Sequence, residues 1–239
     1  MINVLHLYYD LLNLYGENAN IRAIVYNLEK NNIKVNVDLK SIKEKVDFTK
    51  YDLVYIGSGD EEAIELALDD IKRFKSDLIK YIEEDKFLIL TGNAMILFGS
   101  SILTNDNTED GLNIFDYYTE YITSSKFKNA STDRIVGEVF ESTTLIKEKI
   151  VGFQNRCDYV YDVKTPLFKT THKFSNNPET TSEGFTYKNV YATHTIGPLL
   201  IRNPYFTDYL LTKLSKTKKL KYKPINDTAK KAYKKYLAN

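Results

Sequence analysis

Cys157 is the sole cysteine in 239 residues, so no internal disulfide can form. Tryptophan is absent, and no stretch approaches the roughly 20 apolar residues that a membrane span requires. The chain does not open with a basic segment followed by an apolar one, so no secretory leader is expected and a cytoplasmic setting is the expectation. Neither sign of charge dominates: 33 Lys and Arg oppose 32 Asp and Glu, which excludes a global pull toward nucleic acid or an anionic membrane. The three histidines, His6, His172 and His194, stand at no metal-ligand spacing with one another or with Cys157. No metal and no cofactor is therefore expected. What is present is an ordinary mixture, 43% hydrophobic and 27% charged, long enough to bury a substantial core.

The apolar patterning alternates between strand and helix. Ile2 to Leu7 reads as a first strand. A turn marked by Gly16, Asn18 and Asn20 then leads into a helix with Ile21, Ile24, Val25 and Leu28 on one face. Ile33 to Leu39 alternates as a second strand, and Tyr51 to Gly57 is a more continuously apolar, central third. Ile64, Ala67, Leu68, Ile71, Phe74, Leu78 and Ile82 form one long helical stripe. This pattern predicts an α/β fold with a mainly parallel sheet flanked by helices on both faces. Beyond Gly99 a polar loop spans Asn105 to Gly111. Short β-like runs follow at Arg134 to Phe140, Thr143 to Ile146, Ile150 to Phe153 and Val190 to Thr193, with turn residues at Asn176, Asn177, Pro178 and Gly184. They predict added antiparallel strands in the C-terminal half, on the edge of the first sheet. A helix begins at Asn203 with Pro204 in its first turn, and another runs from Asp227 to Leu237 after Pro224. No linker divides the chain, so one domain over residues 1–239 is expected, with a basic extension from about residue 217. Ten lysines between Lys213 and Lys235 face one acidic residue, Asp227, which reads as a solvated helix face and a frayed tail. With no stacking or recognition module beside them, a nucleic-acid interface is not expected.

The chain is organised around Phe87 to Gly99, FLILTGNAMILFG: a buried strand, a turn at Thr91, Gly92 and Asn93, and a helix starting at Ala94. Such strand-turn-helix elbows carry nucleophiles over the end of α/β sheets, yet this turn holds none. Gly57, Ser58, Gly59 and Asp60 follow the third strand. They read either as backbone N–H groups aimed at a ligand or as a loop capped by Ser58 or Asp60. Both turns belong at the carboxyl ends of the strands, where sites in such sheets lie. His194 ends a strand, in a position open to a catalytic base, whereas His6 lies inside one and reads as structural. Arg156 beside Cys157 favours a thiolate, but Cys157 sits in a loop after Ile150 to Phe153, off the elbow, and reads as inert. Ser58, Ser100 and Ser101 lack a Gly-x-Ser-x-Gly setting and read as caps or loop residues.

Several strings in order resemble the class I glutamine amidotransferase-like family of the cobyric acid synthase type, and within it the GatD-like glutaminase subunits of lipid II isoglutaminyl synthase. They are LYYDLLNLYGENANI from Leu7, YDLVYIGSGD from Tyr51, GLNIFDYYTE from Gly111, GFQN from Gly152, SEGFTYKNV from Ser182 and GPLLIRNP from Gly197. The resemblance spans roughly residues 2 to 216 and implies flavodoxin-like layering. It also implies glutamine hydrolysis by an elbow Cys, a His before Gly-Pro-Leu and oxyanion N–H groups. Here the Cys position is Gly92, or Asn93 with a one-residue shift, and the His position is Ile196. The expectation is a non-catalytic binding or partner subunit related to cell-wall (peptidoglycan precursor) amidation. It would work with a Mur ligase-like synthetase or hold a small ligand in a pocket of Gly57, Gly59, Gly92, Asn93 and Arg134. The alternative is an active amidotransferase or amide hydrolase with a relocated group, for which His194, Cys157 and Ser58 are the candidates.

Overall fold

The computed structural model describes residues 1–104, 107–122, 134–225 and 228–238. In chain order the first half comprises β1 (Ile2–Leu7), α1 (Asn18–Lys30), β2 (Val35–Lys40), β3 (Leu53–Ile56), α2 (Glu61–Ile71), α3 (Lys75–Glu83) and β4 (Phe87–Thr91). The second half adds the short strands β5 (Ser101–Leu103), β6 (Thr108–Asp110) and β7 (Tyr118–Tyr121), the hairpin β8 (Ile135–Glu141) and β9 (Ile150–Arg156), and β10 (Asp158–Tyr161). Then come β11 (Phe168–Lys169), β12 (Ser182–Glu183), β13 (Phe185–Tyr187), β14 (Val190–Thr193), α4 (Leu199–Arg202), α5 (Pro204–Thr217) and α6 (Thr228–Leu237).

The main sheet has the order β13-β14-β4-β3-β1-β2 and is parallel except for β13. Alternate residues of its central strands feed opposite faces. Leu5, Val54, Leu88 and Leu90 pack with α2 and α3, while Val4, Leu53, Tyr55 and Ile89 pack with α1 and α5. The two apolar layers explain why β3 and β4 are buried throughout.

Four local expectations are corrected. Val190 to Thr193 is not on the edge of the first sheet: it pairs antiparallel with β13 but lies inside the sheet as the parallel neighbour of β4, because the segment returns to the sheet after a long excursion. Thr143 to Ile146 contributes no strand; it is the irregular stretch between β8 and β9. The long helical stripe is divided at a 3₁₀ turn, Lys72–Phe74, which keeps the apolar side continuous and seats Phe74 against Phe48 at 5.3 Å between ring centroids. The elbow leads into a seven-residue 3₁₀ helix, Gly92–Phe98, rather than an α-helix. It is buried on nearly every side, so packing rather than intrinsic preference fixes its tight winding.

The basic tail is docked. Tyr233 donates to the Lys149 carbonyl at 2.7 Å, Lys230 pairs with Asp208 at 2.5 Å, and Tyr236 stacks on Phe140. Asn105, Asp106, Asp227 and the last residue lie outside the described residues.

Candidate functional site

The parallel strands bring three turns to one end of the sheet: Gly57 to Asp60 after β3, Gly92 and Asn93 after β4, and His194 to Gly197 after β14. The first turn lies close beneath the segment leading into α1; a Cβ on Gly57 would stand 2.3 Å from the Leu12 carbonyl oxygen. Asp60 caps α2 by accepting from the Ala63 N–H at 2.8 Å. Gly92 takes φ +62°, the left-handed conformation of a sharp elbow. The room a side chain at position 92 would need is taken: its Cβ would lie 2.3 Å from Ser58 Oγ and 2.4 Å from Ser58 Cβ. Ile196 closes the other side, with its Cγ2 3.2 Å from the same point. Its backbone is fixed by a two-bond bridge to Phe153, 2.9 and 3.0 Å. The structure thus brings Gly92, Ser58 and Ile196 together.

Asn93 joins the first two turns. Its Oδ1 accepts from the Gly59 N–H and from Ser58 Oγ, each at 3.1 Å, and its Nδ2 donates to the Gly59 carbonyl at 2.7 Å. The Gly59 N–H therefore faces the chain's own amide. Arg134 is similarly occupied: Nη1 meets Glu61 Oε1 at 2.8 Å and Nε donates to Asn155 Oδ1 at 2.6 Å. Asn155 in turn donates to Tyr15 at 2.5 Å.

Cys157 lies at the bend between β9, which runs on to Arg156, and β10, rather than in a loop after Phe153, and donates to Glu61 Oε1 at 3.0 Å. Burial, then the carboxylates of Asp158 and Glu61, push its thiol pKa up, the reverse of what Arg156 suggested from sequence. Glu61 stays below the ordinary carboxylate range, since the bonds from Cys157 and Arg134 outweigh burial.

His194 does not join these groups. Its side chain is wholly buried, with Nδ1 3.2 Å from Glu183 and Nε2 3.0 Å from Asp158, the latter an ion-pair contact with poor hydrogen-bond alignment. Burial and Arg156 oppose its protonation, but the two carboxylates prevail and raise its pKa. Asp158, against the effect of burial, is held low by His194 and Arg156. Glu141 adds a further buried carboxyl, which accepts from Thr195 Oγ1 at 2.9 Å. Burial and then Glu183 drive the Glu141 pKa well up. Unfolding then releases a proton above the ordinary glutamate pKa, and this contribution to stability falls as pH rises toward the folded value. Glu141→Gln should remove that loss and leave the variant more stable than the parent at pH 8, by about 1–2 kcal/mol, with no gain at pH 4. Urea unfolding at both pH values measures it.

Sequence reasoning missed Glu17 and Tyr55. Fully buried Glu17 accepts from Tyr55 at 2.7 Å, from Thr91 and from Asn20, tying the first loop to the ends of β3 and β4 beneath the elbow. Burial raises its pKa, against the hydrogen bonds from Thr91 and Tyr55, and it acts as a buried strut. The signal was present inside LYGENANI, where an acidic side chain precedes α1. Among the described residues no group of three or more His, Cys, Asp or Glu side chains is arranged to hold a metal ion, and no helix is long and apolar enough to cross a membrane.

The CobB/CobQ-like glutamine amidotransferase domain matches residues 3–204. The chain is 35% identical over 226 residues to the lipid II isoglutaminyl synthase (glutamine-hydrolyzing) subunit GatD of Staphylococcus aureus (strain N315), covering 93% of this chain and 88% of the relative. The subunit of the same name from Streptococcus pneumoniae (strain ATCC BAA-255 / R6) is 29% identical over 220 residues, covering 91% and 82%. Among solved structures, a glutamine amidotransferase from Thermotoga maritima aligns over 98% of this chain and 92% of its own, with 13% identity and a TM-score of 0.48.

Proposed function

The chain belongs to the CobB/CobQ-like glutamine amidotransferase family, and from that membership we propose that it is a non-catalytic member, a binding or partner subunit related to lipid II amidation. The observation that carries the reading is the elbow: glycine at position 92, the Ser58 side chain in the room a nucleophile would need, and Ile196 opposite. Amide hydrolysis requires a nucleophile, a base to move its proton and free donors for the oxyanion. Gly92 has no side chain, Ile196 has no proton to move, and the Gly59 N–H is spent on Asn93. Arg134, expected in the ligand pocket, is held by Glu61 and Asn155. The relatives' names, each a subunit of a lipid II isoglutaminyl synthase, support a partner subunit, which the resemblance implies is a Mur ligase-like synthetase. A cytoplasmic setting fits such a partner.

One observation favours a second reading. Ser58 Oγ lies where a nucleophilic atom on the elbow would emerge, which makes it a candidate relocated nucleophile. Its hydrogen bond goes to an amide oxygen, however, and no base holds its proton. Glutaminase assays on the chain, alone and with a synthetase subunit, are expected to give no turnover above buffer and no labelling by a glutamine-analogue electrophile. Turnover abolished by Ser58→Ala would establish the second reading, and turnover surviving Ser58→Ala, Cys157→Ala and His194→Ala would point to an unfamiliar mechanism.

A further inference from the structure

We propose that the face of the sheet covered by α1, α5 and α6 is a docking surface for an anionic phospholipid bilayer. This is a helical face, not the strand ends that carry the elbow, and it would act whether or not the chain hydrolyses glutamine.

The near-neutral total charge hides a segregated one. From Glu61 to Asp85, which spans α2 and α3, nine carboxylates stand against four cations. On the opposite side of the sheet, ten lysines and one acidic residue lie between Lys213 and Lys235. Tertiary packing gathers that basic run onto one layer. Leu220 and Tyr222 pack into the apolar cluster of α1 and α5. Helix α6 rests on the outside of α5 and α4, with Tyr233 against Tyr205 at 5.4 Å between rings and the Arg202 guanidinium 5.0 Å over Tyr236. Eight of the ten lysines are exposed, and Lys231, Lys234 and Lys235 share the outer face of α6 at helical spacing. Among the described residues only Lys218 and Lys230 of the ten meet a carboxylate, Asp52 at 2.9 Å and Asp208 at 2.5 Å. Most of this positive charge therefore has no counter-ion within the described chain.

Charge alone would suit any polyanion, and the apolar features of the same layer select a bilayer. Tyr26 and Ile201, each 46% exposed, flank a cavity of about 230 Å³ lined also by Ala23, Leu200, Pro204 and Ile225, with Arg22 beside it. Leu237 is exposed at the end of α6. Such a mixture matches the layering of a membrane surface. Ammonium and guanidinium groups meet phosphates, a tyrosine ring sits at headgroup depth, and aliphatic side chains enter the acyl boundary. A nucleic acid would give Ile201, Leu237 and the apolar cavity nothing to bury against. An anionic surface also repels the α2 and α3 side, so the segregated charge orients the chain with its basic face down.

The test mixes the whole chain with sucrose-loaded vesicles of phosphatidylcholine, alone or with about 30% phosphatidylglycerol, and reads the bound fraction by sedimentation. Binding is expected to the anionic vesicles only and should be lost between about 0.05 and 0.5 M salt. One lysine near such a surface is worth about fivefold in partitioning, so the triple variant Lys231→Gln, Lys234→Gln, Lys235→Gln should bind about 100-fold more weakly. The matched triple Lys72→Gln, Lys75→Gln, Lys80→Gln removes the same charge from the α2 and α3 side and should change binding by less than about twofold. Ile201→Ser should weaken binding about fivefold while leaving its salt dependence unchanged. No binding to anionic vesicles, equal losses in the two triples, or indifference to Ile201→Ser overturns the proposal. Capture of single-stranded RNA in place of vesicles, or salt-sensitive self-association through the acidic side of a second copy, overturns it as well.

Discussion

Gly92→Cys is expected to cost the folded chain roughly 2–5 kcal/mol, the sum of overpacking and a left-handed backbone that L side chains resist. The geometry sets the larger part. A Cβ at 2.3 and 2.4 Å from Ser58 Oγ and Cβ is far inside van der Waals contact, and Ile196 at 3.2 Å blocks relaxation to the other side. Ser58→Gly should therefore rescue Gly92→Cys, leaving only the backbone part, about 1–2 kcal/mol. Urea unfolding of the two single variants and the double variant forms a thermodynamic cycle, with an expected coupling of about 1–3 kcal/mol. Additive costs would mean that Ser58 moves aside freely and that the elbow is open.

The same cycle bears on function. In the double variant the introduced thiol would still face Ile196 and a Gly59 N–H engaged by Asn93. On the non-catalytic reading proposed above, the double variant should show no glutamine hydrolysis. On the same reading, chemistry at this elbow would require changes at positions 58, 92, 93 and 196 together, because each blocks a different requirement.

Much of the sheet was legible because hydrophobic periodicity reports burial directly: Ile2 to Leu7, Phe87 to Leu90 and the stripe from Ile64 to Ile82 lie where the patterning puts them. The partner of a strand is not in that signal. Val190 to Thr193 reads the same whether it pairs at an edge or inserts beside β4, since only the chain's long-range return decides it. At the elbow, sequence order pointed to Gly92 and Ile196 but not to the close approach of Ser58, which depends on two turns meeting across neighbouring strands. Asn93 reads as an ordinary turn residue until Gly59 is seen opposite it. Glu141 and Glu183 were invisible for a related reason. An isolated acidic residue in a sequence looks exposed, and only tertiary packing reveals it as a buried hydrogen-bonding strut.

His194→Gln tests whether the histidine at the end of β14 serves structure or chemistry. The ring sits between Asp158 at 3.0 Å and Glu183 at 3.2 Å, with no exposed side-chain surface. Removing its charge leaves buried carboxylates short of a counter-ion, and breaking one side of such a network typically costs about 3–5 kcal/mol. The effect has a defined pH dependence. Because the folded-state pKa of His194 is raised, its stabilisation is fully present below the unfolded value of 6.5 and is lost as pH rises through the folded value. The gap between the parent and His194→Gln should thus be widest on the acidic side, at about pH 5–6.5, and narrow in alkali. Adding Asp158→Asn to His194→Gln removes the stranded charge and should recover part of the loss, about 1–2 kcal/mol. Denaturant titrations across this range read all three. A relocated base would behave otherwise: His194→Gln would leave stability nearly untouched and abolish turnover. Full stability in this variant, with no recovery from Asp158→Asn, would therefore remove the structural assignment and return His194 to the list of groups available for catalysis.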